Sequence, residues 1–155
     1  MIKPPGNTAF SAMKKSLLAL LFCFGVLMMN NALAWDAQTL AQIDQADDLK
    51  IAPERANGKT GTPTWIWEVV VDGRLFVRPY NGKNSSWYQS AMAYKKGIII
   101  AAGKTHSVEF APVTDAALIQ QVSAAYKSKY ASSPYMPHMV QDKIADVTVE
   151  VIEKQ

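Results

Sequence analysis

Asp72-Gly73 lies between two runs rich in β-branched and aromatic residues, Trp65 to Val71 and Arg74 to Tyr80. An Asp-Gly pair in that setting predicts a two-residue hairpin turn, because both turn positions need a positive φ that Asp and Gly tolerate. Placing the turn fixes the register: Val71 faces Arg74, Val69 faces Phe76, Trp67 faces Arg78 and Trp65 faces Tyr80. Opposed residues share a face, and neighbours along a strand alternate. One face therefore collects Trp65, Trp67, Val69, Phe76, Arg78 and Tyr80. The other holds Ile66, Val70, Leu75 and Val77, together with Glu68. Pro79 has no amide to donate, so the ladder there is unpaired or at a strand end.

The remaining elements read outward from this hairpin. Ala37 to Ala46 predicts a short helix with Asp36 as N-cap and Leu40 and Ile43 on one face. Leu49 to Arg55 is extended and ends near the Asn57-Gly58 turn signal. Ser86-Trp87-Tyr88-Gln89 matches a capping box, so a helix is expected to Lys96, stopping at Gly97. Ile98 to Ile100 and Ser107 to Phe110 form another strand pair, turning at Gly103-Lys104. Asp115 to Tyr130 is a helix whose buried stripe is Leu118, Ile119, Val122, Ala125 and Tyr126. A two-proline loop, a short helical turn and a closing strand from Asp146 to Ile152 complete the chain. The expectation is an antiparallel α+β domain with six strands, an N-terminal helix and two further helices.

The 155 residues leave room for one domain, and the N-terminal part reads as something else. Met13-Lys14-Lys15 supplies a positive start, and Leu17 to Met29 is an almost unbroken apolar run of 13 residues. Ala32-Leu33-Ala34 then gives the small-x-small pattern cut by signal peptidase. The run is short of the roughly 20 residues needed to span a bilayer, which predicts cleavage after Ala34 and no retained membrane anchor. Residues 1–34 are thus read as an extension and a Sec-type signal peptide, and residues 35–155 as one periplasmic or secreted domain. Cys23 follows Phe22, where a lipoprotein signal needs a small residue, so no lipid anchor is expected.

Removing the leader changes the charge. Lys3, Lys14 and Lys15 go with it and no acidic residue does, leaving 13 basic and 13 acidic residues where the whole chain has 16 and 13. A formally neutral domain gives no electrostatic case for nucleic acid or an anionic membrane as partner. It also has no cysteine, hence no disulfide and no thiolate nucleophile.

The aromatic–arginine face supports two readings. Arg78 between Trp65, Trp67 and Tyr80 is either a structural cation–π cluster or the wall of a pocket for a small planar or anionic ligand. The loop Gly82-Lys83 to Ser86 leads into a helix start, where free amides favour an anion. Other chemistry is thin. His106 and His138 have no metal or triad spacing, and no metal site is expected. Met136-Pro137-His138-Met139 has soft-metal donors but reads first as a loop. Glu68, on an apolar face, either has a raised pKa or pairs with an arginine such as Arg55. Asp44, Asp47 and Asp48 read as a solvated helix end.

Several segments together resemble a known family. They are Ile43-Asp44 through Leu49-Lys50-Ile51-Ala52, Thr62 to Trp67 with Val69 to Gly73, and Leu75-Phe76-Val77-Arg78. Tyr80-Asn81-Gly82, Ser86-Trp87-Tyr88, Gly97-Ile98-Ile99 and Ala125 to Tyr130 complete the set. From about Leu40 onward the chain is similar to the bacterial domain-of-unknown-function family 2255. That family is similar to the FMN- and deazaflavin-binding split β-barrels. The resemblance implies a six-stranded split barrel with a ligand cleft lined by the first three strands and the helix after them. It also implies pocket residues at Arg78, Tyr80, Asn81, Gly82, Ser86 and Trp87, to which the hairpin face adds Trp65 and Trp67. Flavin, deazaflavin or haem is implied as cofactor by fold alone, and a homodimer is implied as assembly. Lys14-Lys15 stands where the route for folded proteins needs twin arginines, so the chain is expected to cross unfolded and to acquire any cofactor outside. Two functions follow from this reading: a periplasmic small-ligand-binding module, which is favoured, and a split-barrel oxidoreductase using one of those cofactors.

Overall fold

The structure, a computed structural model, describes Ile2 and residues 35–155. The expected signal peptide, its cleavage site and Cys23 lie outside the described residues. Helix α1 (Ala37–Gln45) starts at Asp36, whose carboxylate accepts the amide and the hydroxyl of Thr39, each at 2.9 Å. Those bonds hold the Asp36 carboxyl below its usual range. Then come β1 (Leu49–Pro53), β2 (Thr64–Ile66), β3 (Glu68–Val71), β4 (Arg74–Val77), a 3₁₀ turn at Gly82–Asn84 and α2 (Ser86–Tyr94). The chain finishes with β5 (Lys96–Ala101), β6 (Lys104–Pro112), α3 (Ala116–Lys129), α4 (Met136–Met139), α5 (Asp142–Ala145) and β7 (Val149–Glu153). Among the described residues no helix is long and apolar enough to cross a membrane.

All sheet pairings are antiparallel, in the order β2-β1-β5-β6-β7-β4-β3. The two end strands, β2 and β3, are consecutive in sequence with only Trp67 between them. The sheet edges therefore come side by side and the sheet curls into a nearly closed barrel, split at Trp67. This is the expected α+β split barrel, with seven strands where six were expected.

The extra strand comes from the run Trp65 to Val71, expected as one strand. Thr64–Ile66 pairs with β1, setting Lys50 opposite Trp65, while Glu68–Val71 pairs with β4. One segment serves both edges of a curved sheet, so it must break, and it breaks where the Trp67 carbonyl leaves the ladder for the Tyr126 hydroxyl at 3.4 Å. The hairpin register is as expected from Val71↔Arg74 to Glu68↔Val77. Asp72 and Gly73 take positive φ values of 51° and 72°. The expected pairs Trp67–Arg78 and Trp65–Tyr80 do not form, because β4 ends at Val77. Beyond it Pro79 lacks a donor, and its carbonyl instead accepts the Gly82 amide at 3.0 Å in a turn.

Helix boundaries moved for local reasons. Ser85 caps α2 in place of the expected Ser86, with no side-chain cap, and Gln89 donates to the Lys83 carbonyl at 3.1 Å. The helix stops at Lys95, which adopts the left-handed conformation (φ 63°), so Lys96 and Gly97 belong to β5. Gly97 is required there for space: a Cβ would lie 2.5 Å from the Ala52 carbonyl oxygen. The β5–β6 turn is Ala102-Gly103, and Lys104 opens β6. The two further helices expected are joined by α4 and α5, each four residues long.

Alternation along the β3–β4 ribbon feeds two cores. Leu75 and Val77 point into the barrel with Ile51, Ile99, Val108 and Val149, covered by Leu40 and Ile43 of α1 and by Trp87 and Ala91 of α2. Val69 and Phe76 point outward under α3, against Val122, Tyr126 and Tyr130. A fully buried side chain such as Phe76 contributes about 2–3 kcal/mol. Trp35 is buried in the barrel core, its indole N–H donating to the Val151 carbonyl at 2.9 Å.

Candidate functional site

The outward face of the β3–β4 ribbon ends at Arg78, which is 1% exposed. Its Nε donates to Thr148 Oγ1 at 2.9 Å, Nη1 to the Met139 carbonyl at 3.0 Å and Nη2 to the Ile119 carbonyl at 3.0 Å. The guanidinium lies over the Tyr126 ring, 5.2 Å from its centroid. It thus joins the end of β4 to α3, to α4 and to the segment before β7. All three acceptors are neutral, and no carboxylate forms an ion pair with it among the described residues. Burial accordingly lowers its pKa, yet an arginine stays charged. It leaves an uncompensated positive charge in a low-dielectric place.

That charge lies at the floor of a cleft of about 250 Å³ over the split of the barrel. Trp65, Trp67, Tyr80 and Tyr135 supply its aromatic walls, with Asp48 and Met139 at its margins. Trp65 is 62% exposed, Tyr80 48% and Tyr135 60%, so three aromatic side chains left open to solvent converge on one cleft. An isolated exposed aromatic needs no explanation, whereas a convergent group marks an interaction site. Tyr80 and Tyr135 meet edge to face at 6.3 Å. Trp67 stacks flat on Tyr130 at 4.0 Å, which fixes its plane.

Behind Trp67 lies the second buried charge. Glu68 is fully buried, with Lys129 Nζ 3.2 Å from Oε1. Its expected partner, an arginine such as Arg55, is replaced by this lysine of α3. The Tyr130 hydroxyl accepts the Glu68 amide at 3.2 Å and has one proton to give, best directed at the Asp47 carbonyl at 2.8 Å. Glu68 Oε2, at 3.5 Å, is left with a weak contact. Desolvation, opposed by Lys129, pushes the Glu68 carboxyl from 4.5 to about 7. Burial also raises the Tyr126 and Tyr130 hydroxyls well above their usual range.

Tyr80 separates this cleft from a second one of about 530 Å³, lined by Asn81, Gly82, Lys83 and Lys143. His138 fixes the partition: its Nε2 is 2.6 Å from the Tyr80 carbonyl, which only accepts, so Nε2 carries the proton. The imidazole also lies 4.1 Å from the Tyr80 ring. Met139, one of the soft donors in that loop, is buried in the outer core. Ser86 and Trp87 are elsewhere. They border a separate cleft against β1, shared with Ala52 and Arg55, and Trp87 is largely a core residue. Of the sequence-expected residues, Trp65, Trp67, Arg78 and Tyr80 share one cleft. Asn81 and Gly82 share the next, and the helix start at Ser86 faces neither. Asp48 and Tyr135 were missed as site residues. Asp48 reads as part of an acidic helix end and Tyr135 lies in a two-proline loop, so no periodicity connects either to the hairpin.

Comparison with solved structures gives the same fold. A conserved hypothetical protein from Mycobacterium tuberculosis superposes with a TM-score of 0.55 at 12% identity, over 79% of this chain and 82% of that one. Campylobacter jejuni ChuZ gives 0.58 at 10% identity over 99% of this chain, which spans 65% of its length. A protein assigned to 5-nitroimidazole antibiotic resistance in Bacteroides thetaiotaomicron gives 0.51 at 10% identity, over 79% and 82%. These are split-barrel relatives in fold. No curated protein matches the sequence. Residues 39–151 match the model of DUF2255, described as an uncharacterized protein conserved in bacteria. Sequence and fold agree, and the chain belongs to the DUF2255 family.

Proposed function

We propose that this protein is an exported small-ligand-binding domain whose site is the cleft between Trp65, Tyr80 and Tyr135. The observation that carries the reading is the convergence of three solvent-open aromatic side chains over the uncompensated charge of Arg78. Open ring faces favour a ligand with a planar or apolar surface. The positive floor favours an anionic group on it, mainly through its field, since Arg78 is 1% exposed and three of its N–H groups are already committed. Work outside the cytoplasm after loss of residues 1–34 is supported by the leader pattern at Met13 to Ala34. The flavin, deazaflavin or haem alternative draws on fold likeness.

The test is to purify the protein from its host under native conditions and identify any small molecule released on unfolding. The same is done for a Trp65→Ala/Tyr135→Ala variant, whose side chains are too exposed to hold the fold. The expected result is a defined molecule from the unmodified protein and none from the variant. Equal release from both would overturn the assignment of this cleft.

A further inference from the structure

We propose that the cleft takes a small zwitterion, with a methylated ammonium against the aromatic faces beside Asp48 and a carboxylate directed to the Arg78 floor. This rests on reading the cleft as a ligand site and names the ligand class. Two charges of opposite sign line the same cleft, and neither has an ion-pair partner among the described residues. A simple cation would meet Arg78 uncompensated, and a simple anion would meet Asp48. A ligand carrying both charges satisfies each.

The aromatic walls decide the kind of cation. Trp65 already holds an ammonium: Lys50 Nζ sits 4.5 Å from its ring centroid, and Lys50 is not part of the cleft wall. The indole is therefore placed for cation–π contact, with most of its surface still open. The cleft wall is mainly apolar, with one carboxylate and two phenol oxygens among ring faces and aliphatic groups, and suits a cation whose own surface is apolar. A fully methylated ammonium donates nothing and gains from every ring face it touches. The size agrees, since about 250 Å³ is below the roughly 300–1,000 Å³ of sites for drug-sized ligands.

The experiment uses the protein as its host processes it, carrying a C-terminal tag, and titrates four probes by calorimetry. Glycine betaine has both charges and the methyl groups, choline only the cation, pivalate only the anion beside a methyl cluster, and glycine both charges without methyls. Glycine betaine should bind at least roughly tenfold more tightly than each of the others. Asp48→Asn and Trp65→Ala should each weaken it about tenfold, with thermal unfolding unchanged because both side chains are exposed. The proposal is overturned if glycine betaine binds no more tightly than choline or pivalate, or if Asp48→Asn leaves its affinity intact. Pivalate binding that depends on Trp65, without binding of glycine betaine, would sink the zwitterion and leave the cleft reading standing. No binding of any probe, and no difference in released molecules between the unmodified protein and the Trp65→Ala/Tyr135→Ala variant, would sink both.

Discussion

Glu68 and Arg78 are single residues with consequences for stability that can be measured separately from binding. The unfolded carboxyl of Glu68 titrates near 4.5 and the folded one near 7, so the native state holds the proton more tightly. Its contribution to stability is complete below about pH 4.5 and is lost as pH rises through 7. The loss is roughly 3 kcal/mol. Glu68→Gln should flatten urea-derived stability across that window, and Lys129→Met should deepen the loss by removing the charge that opposes it. A Glu68→Gln variant that keeps the slope would assign it to another group. Arg78→Ala removes donors from two carbonyls and a hydroxyl in a buried place, and is expected to cost roughly 3 kcal/mol or more. Arg78→Lys, with no planar fork, should recover less than half of it by the same denaturation assay. An unchanged melting temperature in Arg78→Ala would show that the guanidinium does not hold the elements together.

At the scale of elements, the sequence was most readable where the rule is local. The Asp72-Gly73 turn, the Asp36 cap and the stripe of α3 each follow from a few adjacent residues, and each is present. What was unreadable depended on partners distant in sequence. The split of Trp65 to Val71 into two strands is dictated by β1 on one side and β4 on the other. Four of the six residues of that face, Trp65, Trp67, Arg78 and Tyr80, still meet around the cleft, although not as ladder pairs. Ser86 and Trp87, expected in the pocket from the family resemblance, instead border a cleft against β1, a placement fixed by how α2 packs on a strand distant in sequence. Gly97 shows the same principle in reverse. It read as a helix stop, but its requirement comes from Ala52 and Pro53 of β1, 2.5 and 2.6 Å from where a Cβ would be. Gly97→Ala is expected to push β1 and β5 apart at a cost of roughly 2–3 kcal/mol. Gly58→Ala, in an open turn at φ +73°, should cost only about 1 kcal/mol of backbone strain. Denaturation midpoints of the two variants compare these costs directly.

For the whole molecule, the barrel holds one core inside and a second beneath α3, and the cleft opens where its first and last edges fail to join. The split follows from the topology, since a sheet whose end strands are consecutive in sequence needs a residue to turn between them. That residue is Trp67. Trp35 fastens the start of the domain to β7 through a buried indole, and Trp35→Ala should lower stability by roughly 3 kcal/mol. The four tryptophans thereby divide by role: Trp35 and Trp87 belong to the barrel core, Trp65 and Trp67 to the cleft. The most direct test of the central claim uses that division. Their indole N–H resonances are followed in a ¹H–¹⁵N spectrum while the low-molecular-weight fraction of a host extract is added. The account expects Trp65 and Trp67 to shift and Trp35 and Trp87 to stay in place. A shift of Trp87 with Trp65 and Trp67 unmoved would place binding against β1 and contradict it.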